Sequence, residues 1–121
     1  MSGSPALIAV VDDDEDVRVS LEALISSIGH DVVLFESADD LLGSPVLSHA
    51  ACIVSDVQMP GTDGIQLAMR LSSRAGPPVI LMTAYPTPAL ERSAYGAGVR
   101  RFLLKPFAPD NLIDEIEELL D

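Results

Sequence analysis

The sequence predicts an α/β domain in which helices cover both faces of a parallel sheet. Five short apolar segments alternate with longer segments whose apolar residues recur at helical spacing. Such alternation of strand and helix is typical of parallel sheets, because a parallel connection needs a crossover. Apolar residues make up 48% of the chain and the mean hydropathy is +0.32, which fits strands buried on both faces.

Each predicted strand and helix is bounded by residues that favour its ends. The strands are predicted at residues 6–11, 32–35, 51–55, 79–82 and 101–104. The helices are predicted at residues 17–28, 38–42, 65–71, 88–95 and 111–120. Ser37, Thr87 and Asp110 are the predicted N-caps, and Pro88 suits the first position of its helix. Gly29 is predicted to end the first helix.

Length and composition exclude several classes of protein. With 121 residues, the chain is predicted to form one domain over residues 6–121, after a flexible tail at residues 1–5. Its apolar segments are too short to span a membrane, and a single cysteine, Cys52, excludes a disulfide framework. Nineteen acidic residues against seven basic ones give a net charge of −12, which opposes nucleic-acid binding. We expect a cytoplasmic location, with Cys52 as a small buried residue.

Polar residues, acidic, basic and neutral, follow four of the predicted strands. Asp12 and Asp13 follow the first strand, Asp56 the third, Thr83 the fourth, and Lys105, the only lysine, the fifth. The carboxyl ends of parallel strands meet at one edge of the sheet, where open α/β sheets bind ligands. In the flavodoxin-like strand order 2-1-3-4-5, the first and third strands are neighbours, so we expect the three carboxylates to lie close together.

This predicted edge has the chemistry of a phosphoryl-binding site. Three ionised carboxylates repel one another, and a cation relieves that repulsion. Oxygen ligands from few protein groups suit Mg²⁺, or Mn²⁺ in its place. A carboxylate is a competent nucleophile, and phosphoryl transfer depends mainly on positioning and charge stabilisation. Asp56 could therefore carry a phosphoryl group whose oxygens contact the metal, Lys105 and Thr83.

Four segments carry a recognisable pattern. They are VVDDD at residues 10–14, SDVQMPGTDG at 55–64, TA at 83–84 and KPF at 105–107. With these motifs in this order and at this spacing, the whole chain resembles the receiver domain of two-component response regulators. The stretch from Val11 to Arg18 and the loop at residues 58–60 resemble the FixJ type most. The resemblance implies a CheY-like form of the flavodoxin-like fold, with five parallel strands and five helices.

The resemblance also implies roles for the charged residues. Asp56 matches the aspartate that a partner histidine kinase phosphorylates. Asp12, Asp13 and Asp56, with the main-chain carbonyl of Gln58, match the Mg²⁺ ligands. Lys105 matches the lysine that pairs with the phosphoryl oxygens.

Four further residues match positions that aim the lysine or respond to phosphorylation. Thr83 matches the switch hydroxyl that moves toward the phosphoryl group, and the small Ala84 leaves that group room. Phe102 matches an aromatic residue that rotates when the threonine moves. Because Phe102 lacks the hydroxyl of tyrosine, its switch must work by packing alone. Pro106 follows Lys105, and the family often has this peptide bond in the cis form.

The implied partners are proteins. A histidine kinase is the expected phosphoryl donor, and the face formed by the fourth helix, fifth strand and fifth helix is expected to change its affinity for partners. The same face could also form a homodimer. The sequence does not identify an output domain or a partner protein. Pro86 and Pro88 stiffen the loop before the fourth helix, which predicts a smaller loop movement on activation.

Two other functions fit parts of the pattern. A haloacid-dehalogenase-type phosphatase also uses a strand-end aspartate and Mg²⁺, but it needs a second aspartate two residues later, where this chain has Gln58. A binding module that kept the fold but is independent of phosphorylation is the second alternative. Asp56, Thr83 and Lys105 together argue against it. We therefore predict a phosphoacceptor that assists its own phosphorylation and dephosphorylation, and not a dedicated enzyme.

Overall fold

Five strands and five helices alternate along the chain in a computed structural model that describes residues 5–99 and 101–120. The strands are β1 (Leu7–Val11), β2 (Asp31–Phe35), β3 (Cys52–Asp56), β4 (Val79–Thr83) and β5 (Arg101–Leu104). The helices are α1 (Glu15–Ser27), α2 (Ala38–Leu42), α3 (Gly64–Ser73), α4 (Pro88–Gly96) and α5 (Pro109–Leu120). A short 3-10 helix covers Pro45–His49, where the sequence signal was only that of a break after α2.

The strands pair in parallel in the order β2-β1-β3-β4-β5, which confirms the predicted fold class and strand order. The register determines which residues leave the sheet together. Val11, the last residue of β1, lies opposite Ser55 of β3. Asp12 follows Val11 and Asp56 follows Ser55, so the two aspartates lie at the same level of the sheet.

The other half of the sheet ends at a matching level. Thr83, the last residue of β4, lies opposite Leu104, the last residue of β5. The main-chain N–H of Lys105 then donates a hydrogen bond to the carbonyl of Thr83 at 2.7 Å. The carboxyl ends of the four strands thus meet at one edge of the sheet. We call this edge, with Asp12, Asp56, Thr83 and Lys105, the rim.

Two hydrophobic clusters cover the two faces of the sheet. Successive strand residues alternate between them: Ala9 and Val11 of β1 belong to one cluster, and Ile8 and Val10 to the other. The first cluster includes buried residues of α2, α3 and α4, and the second includes buried residues of α1 and α5. These four of the five β1 residues are fully buried, as expected for a strand covered on both faces.

Cys52 belongs to the second cluster and is fully buried. Burial raises the pKa of its thiol to about 12, because the thiolate is poorly solvated there. The thiol is therefore neutral at physiological pH and unsuited to nucleophilic chemistry. This confirms the prediction of a small buried residue.

The helix ends agree with most of the predicted signals. Ser37 and Thr87 cap α2 and α4 through their side-chain oxygens, and Gly29 follows α1 with a positive φ of 92°. The prediction of Asp110 as an N-cap is wrong, because α5 already begins at Pro109. Proline suits the start of a helix, since it has no N–H to leave unpaired. Asp110 then lies within the first turn, where the helix dipole stabilises its negative charge.

Two parts of the sequence prediction are not tested by this structure. Residues 1–4, Arg100 and Asp121 lie outside the described residues, so the predicted flexible tail stays a prediction. The extent of the domain, residues 6–121, also stays a prediction. No helix in the described part of the chain has the length and apolar character needed to span a bilayer.

Candidate functional site

The rim brings three carboxylates together. One carboxylate oxygen from each of Asp12, Asp13 and Asp56 lies within 4.8 Å of the other two. Asp12 is 1% exposed and Asp56 is 8% exposed, whereas Asp13 is open to solvent. Residues 44 positions apart thus become neighbours because β1 and β3 are adjacent and end at the same level. The clustering expected from the sequence is present.

Lys105 reaches this cluster from β5. Its Nζ lies 3.0 Å from Oδ1 of Asp56 and 3.4 Å from Oδ2 of Asp12, so one ammonium bridges the two buried carboxylates. The peptide bond between Lys105 and Pro106 is cis, as the family resemblance implied. Pro106 itself is exposed.

The charges of the cluster act on one another. Burial raises the pKa of the Asp12 carboxyl above its ordinary value, even though the Asp14 N–H and the Lys105 ammonium both oppose this effect. Burial is also the largest single influence on Lys105 and lowers its pKa. The hydrogen bonds to Asp56 and Asp12 and the negative charges of both carboxylates together outweigh burial, so the pKa of Lys105 is raised. Asp12 therefore lacks full compensation of its negative charge, while Lys105 stays an ammonium.

The loop between β1 and α1 holds the acidic pair in place. The N–H of Asp14 donates to Oδ1 of Asp12 at 2.9 Å, and the Asp14 side chain caps α1. Sequence reasoning missed one neighbour: Arg18, whose guanidinium donates to the main-chain carbonyl of Asp12 at 2.7 Å. The signal for Arg18 was available, since it is the only basic residue among the first sixty.

Thr83 lies at the rim, and its hydroxyl is hydrogen-bonded to neutral groups. It is fully buried and donates a hydrogen bond to Oε1 of Gln58 at 3.0 Å. It also accepts a hydrogen bond from the main-chain N–H of Tyr85 at 3.1 Å. The side chain of Gln58 was not expected to contact Thr83, because the resemblance implied a role only for its main-chain carbonyl. That carbonyl role stays a prediction.

The remaining predicted residues are Phe102, Ala84 and Pro106. Phe102 is partly buried against the first hydrophobic cluster, and its ring centroid lies 6.4 Å from that of Tyr95 at a tilt of 52°. Ala84 is exposed at the end of β4. Ala84 and Pro106 both line a groove of about 630 Å³ between α1 and the segment that follows β5. This groove is mainly apolar, with Val17, Leu24 and Phe107 among its lining residues.

The acidic cluster fits a hard divalent cation. Oxygen ligands of an octahedral Mg²⁺ at 2.0–2.1 Å lie roughly 3–4 Å from one another. The three carboxylate oxygens lie within 4.8 Å of one another, so small side-chain movements would bring them to that spacing. The donors are all oxygens, which suits Mg²⁺ or Mn²⁺ better than softer metals. The raised pKa of Asp12 indicates that further positive charge would be favourable here. Asp12, Asp13 and Asp56 are therefore the residues that could hold such an ion.

Comparisons with known proteins agree with this geometry. The profile of the response regulator receiver domain matches residues 8–117. The transcriptional regulatory protein FixJ of Bradyrhizobium diazoefficiens is 42% identical over 115 residues, which cover 93% of this chain and 56% of FixJ. The crystal structure of full-length FixJ from B. japonicum has a TM-score of 0.85 and 40% identity, over 95% of this chain and 57% of that one.

A more distant structure supports the fold alone. The chemotaxis protein CheY4 of Vibrio cholerae has a TM-score of 0.88 at 22% identity, over 97% of this chain and 100% of that one. The chain spans about half the length of the curated relatives it matches first, FixJ and the regulatory protein TdiR of Thauera aromatica. With the acidic cluster, the lysine and the threonine at the carboxyl ends of a 2-1-3-4-5 sheet, and a family match over most of its length, this chain belongs to the response regulator receiver domains and is FixJ-like.

Proposed function

We propose that Asp56 accepts a phosphoryl group from a partner histidine kinase in a Mg²⁺-dependent reaction. The observation that carries this proposal is the position of the Asp56 carboxylate, which contacts the Lys105 ammonium and lies beside the carboxylates of Asp12 and Asp13. An oxygen of Asp56 attacks phosphorus and forms a P–O bond, while the bond from phosphorus to the imidazole nitrogen of the donor breaks. That imidazole nitrogen then takes up a proton.

The charges of the site support this chemistry. Three carboxylates carry three negative charges, which Lys105 and one divalent cation would balance. Asp12, Asp13, Asp56 and the Gln58 carbonyl would hold the Mg²⁺, which when bound neutralises charge on the phosphoryl oxygens. Lys105 already lies 3.0 Å from Asp56, so its ammonium can pair with a phosphoryl oxygen without a large movement.

Thr83 and Phe102 are the proposed switch. The Thr83 hydroxyl would exchange its hydrogen bond to Gln58 for a charge-assisted one to the phosphoryl group. Its movement would let Phe102, whose ring lies against that of Tyr95 of α4, repack. Phosphorylation must bias two packings by a few kcal/mol for this to act as a switch.

The groove beside Lys105 supports a protein as phosphoryl donor. It is mainly apolar, opens next to the rim, and is lined by α1 and the segment after β5. A donor histidine that reaches Asp56 has to bring its own protein surface against this groove. Burial of apolar surface there would stabilise the complex.

The face formed by α4, β5 and α5 is the proposed output surface. Tyr95 is 53% exposed and Leu104 is 49% exposed on this face, which leaves apolar surface for a homodimer or an output partner. Because FixJ and TdiR are named transcriptional regulatory proteins, we propose that this domain controls a transcriptional output. The net charge of −12 makes the domain itself unsuited to bind nucleic acid directly.

Phosphorylation can be tested with a small-molecule donor. The domain is incubated with acetyl phosphate and Mg²⁺, and intact mass spectrometry follows the addition of one phosphoryl group. We expect labelling of the wild type, no labelling of Asp56→Asn, and retained labelling of Asp14→Asn, since asparagine still caps α1. Chelation of the metal should prevent labelling. Equal labelling of Asp56→Asn and wild type would reject Asp56 as the phosphoacceptor.

The output surface has a separate test. Beryllofluoride with Mg²⁺ imitates the phosphorylated state, and light scattering then measures the molar mass. We expect a dimer in the wild type and a monomer in Leu104→Gln, with Val19→Gln on α1 as the control that still dimerises. Val19 is 56% exposed, so both variants replace an exposed aliphatic side chain.

A further inference from the structure

Arg18 has a buried guanidinium close to the acidic cluster. Arg18 is 9% exposed, although it lies in the first half of α1, where a basic residue would ordinarily face solvent. Its Nη1 donates to the main-chain carbonyl of Asp12 at 2.7 Å, and its Nη2 lies 3.8 Å from Oε1 of Glu36. Because burial of a guanidinium is costly unless it is paired and hydrogen-bonded, this placement requires a compensating interaction.

The guanidinium binds the backbone of Asp12 and leaves the carboxylate to other groups. Oδ1 of Asp12 accepts from the Asp14 N–H, and Oδ2 faces Lys105. Arg18 therefore does not occupy the oxygen atoms that a cation would use. Glu36 directly follows β2, so Arg18 also connects the ends of β1 and β2.

We infer that Arg18 is a positioning residue for the acidic pair: it holds the Asp12–Asp13 peptide so that the two carboxylates converge with Asp56 before a cation binds. This inference rests on the proposed Mg²⁺-dependent function. Two effects of Arg18 on Mg²⁺ have opposite signs. Its positive charge repels the ion, whereas its hydrogen bond pre-organises the ligands. The inference is that pre-organisation is the larger effect.

Calorimetric titration with Mg²⁺ separates the two effects. Arg18→Met keeps the aliphatic stem but removes the charge and the donors, and we expect its Mg²⁺ affinity to fall about tenfold, as for other residues that orient metal ligands. Arg18→Lys keeps a donor for the carbonyl and should recover part of that loss. The control is Arg70→Met, which removes the same charge from the exposed last turn of α3 and should bind Mg²⁺ like the wild type.

Amide hydrogen exchange without metal gives a second readout. The Asp14 N–H is bound to the Asp12 carboxylate, so its exchange should accelerate in Arg18→Met if the loop loses its orientation. Exchange in the buried strand β3 should stay as in the wild type. Should Arg18→Met fail to fold, Arg18→Lys carries both measurements, with a smaller loss expected.

The outcomes distinguish this inference from the proposed function. If the wild type binds Mg²⁺ and Arg18→Met binds it equally or more tightly, Arg18 does not position the pair and the proposed function stands. Equal affinities of the folded Lys and Met variants would also overturn the inference. If the wild type binds no Mg²⁺, the metal-dependent function fails and the inference fails with it.

Discussion

The rim and the residues beside it form two halves, which are held together by different kinds of bond. In the charged half, formed by Asp12, Asp13, Asp56 and Lys105, the contacts are ionic, at 3.0 and 3.4 Å from Nζ of Lys105. In the neutral half, formed by Gln58, Thr83 and Tyr85, they are neutral hydrogen bonds at 3.0 and 3.1 Å. The distances are similar, but hydrogen bonds to charged groups contribute roughly 1.5–3 kcal/mol and neutral ones roughly 0.5–1.5 kcal/mol.

This difference indicates which half can rearrange. The buried carboxylates of the charged half depend on a counter-charge, so breaking a contact there leaves an ion poorly compensated. The Thr83 hydroxyl of the neutral half can exchange one partner for another at little cost. A site that must recognise a charged group and then change shape therefore benefits from combining a rigid charged half with an exchangeable neutral half.

The largest expected effect comes from removing the counter-charge of the charged half. Lys105→Met should lower the free energy of unfolding by about 2–3 kcal/mol without Mg²⁺, because Asp12 and Asp56 then face each other unpaired. The loss should be below that of a fully buried pair, because the Lys105 side chain is 24% exposed. Urea unfolding measures it, with Lys105→Arg as the control that keeps the charge. A Lys105→Met variant as stable as the wild type would mean that the carboxylates do not need the ammonium.

The second-largest expected effect comes from removing one predicted Mg²⁺ ligand of the charged half. Asp13→Asn should weaken Mg²⁺ binding by about tenfold, or about 1.4 kcal/mol, because one of three carboxylates is neutralised. The control is Asp14→Asn, which removes the same charge from the adjacent residue. It should bind Mg²⁺ nearly as the wild type does, since the Asp14 side chain caps α1. Calorimetry compares the two. Equal affinity in both variants would show that net charge, and not this cluster, determines binding.

The third effect tests the hydroxyl of the neutral half. Thr83→Val keeps the shape of the buried side chain but loses the bonds to Gln58 and Tyr85, so stability should fall by about 1 kcal/mol. Thr83→Ser keeps the hydroxyl. With beryllofluoride and Mg²⁺, the NMR shifts of Phe102 should change in the wild type and in Thr83→Ser, but much less in Thr83→Val. Identical Phe102 responses in all three proteins would remove Thr83 from the switch.

The smallest effect concerns the amide that holds this hydroxyl. Gln58→Met removes the acceptor for Thr83 but keeps the main-chain carbonyl, and should cost only about 0.5 kcal/mol of stability. Because Gln58 favours the position of Thr83 seen here, its removal should make activation by beryllofluoride easier. The half-saturating concentration for the Phe102 shift should fall by roughly twofold. An unchanged or higher concentration would contradict this role.

The charged half could be predicted well from the sequence alone. Asp12, Asp56 and Lys105 each directly follow a predicted strand, and Asp13 is one residue further on. Parallel strands place their carboxyl ends together whatever the details of packing. The register that brings Asp12 level with Asp56, with Val11 opposite Ser55, was set by the folded sheet and not by strand length. The incorrect cap at Asp110 shows the limit of local signals, because Pro109 competes for the same helix start and begins α5 first.

The neutral half and the position of Arg18 were decided by the tertiary structure. Gln58 and Thr83 are 25 residues apart, and whether their side chains meet depends on the path of the loop after β3. Arg18 shares a helical face with the buried Leu21 and Ile25, so its spacing points inward although its charge favours solvent. Only the folded loop presents the Asp12 carbonyl to it. Strand ends follow from hydrophobic pattern and chain direction, whereas hydrogen-bond partners depend on where folding leaves unpaired donors and acceptors.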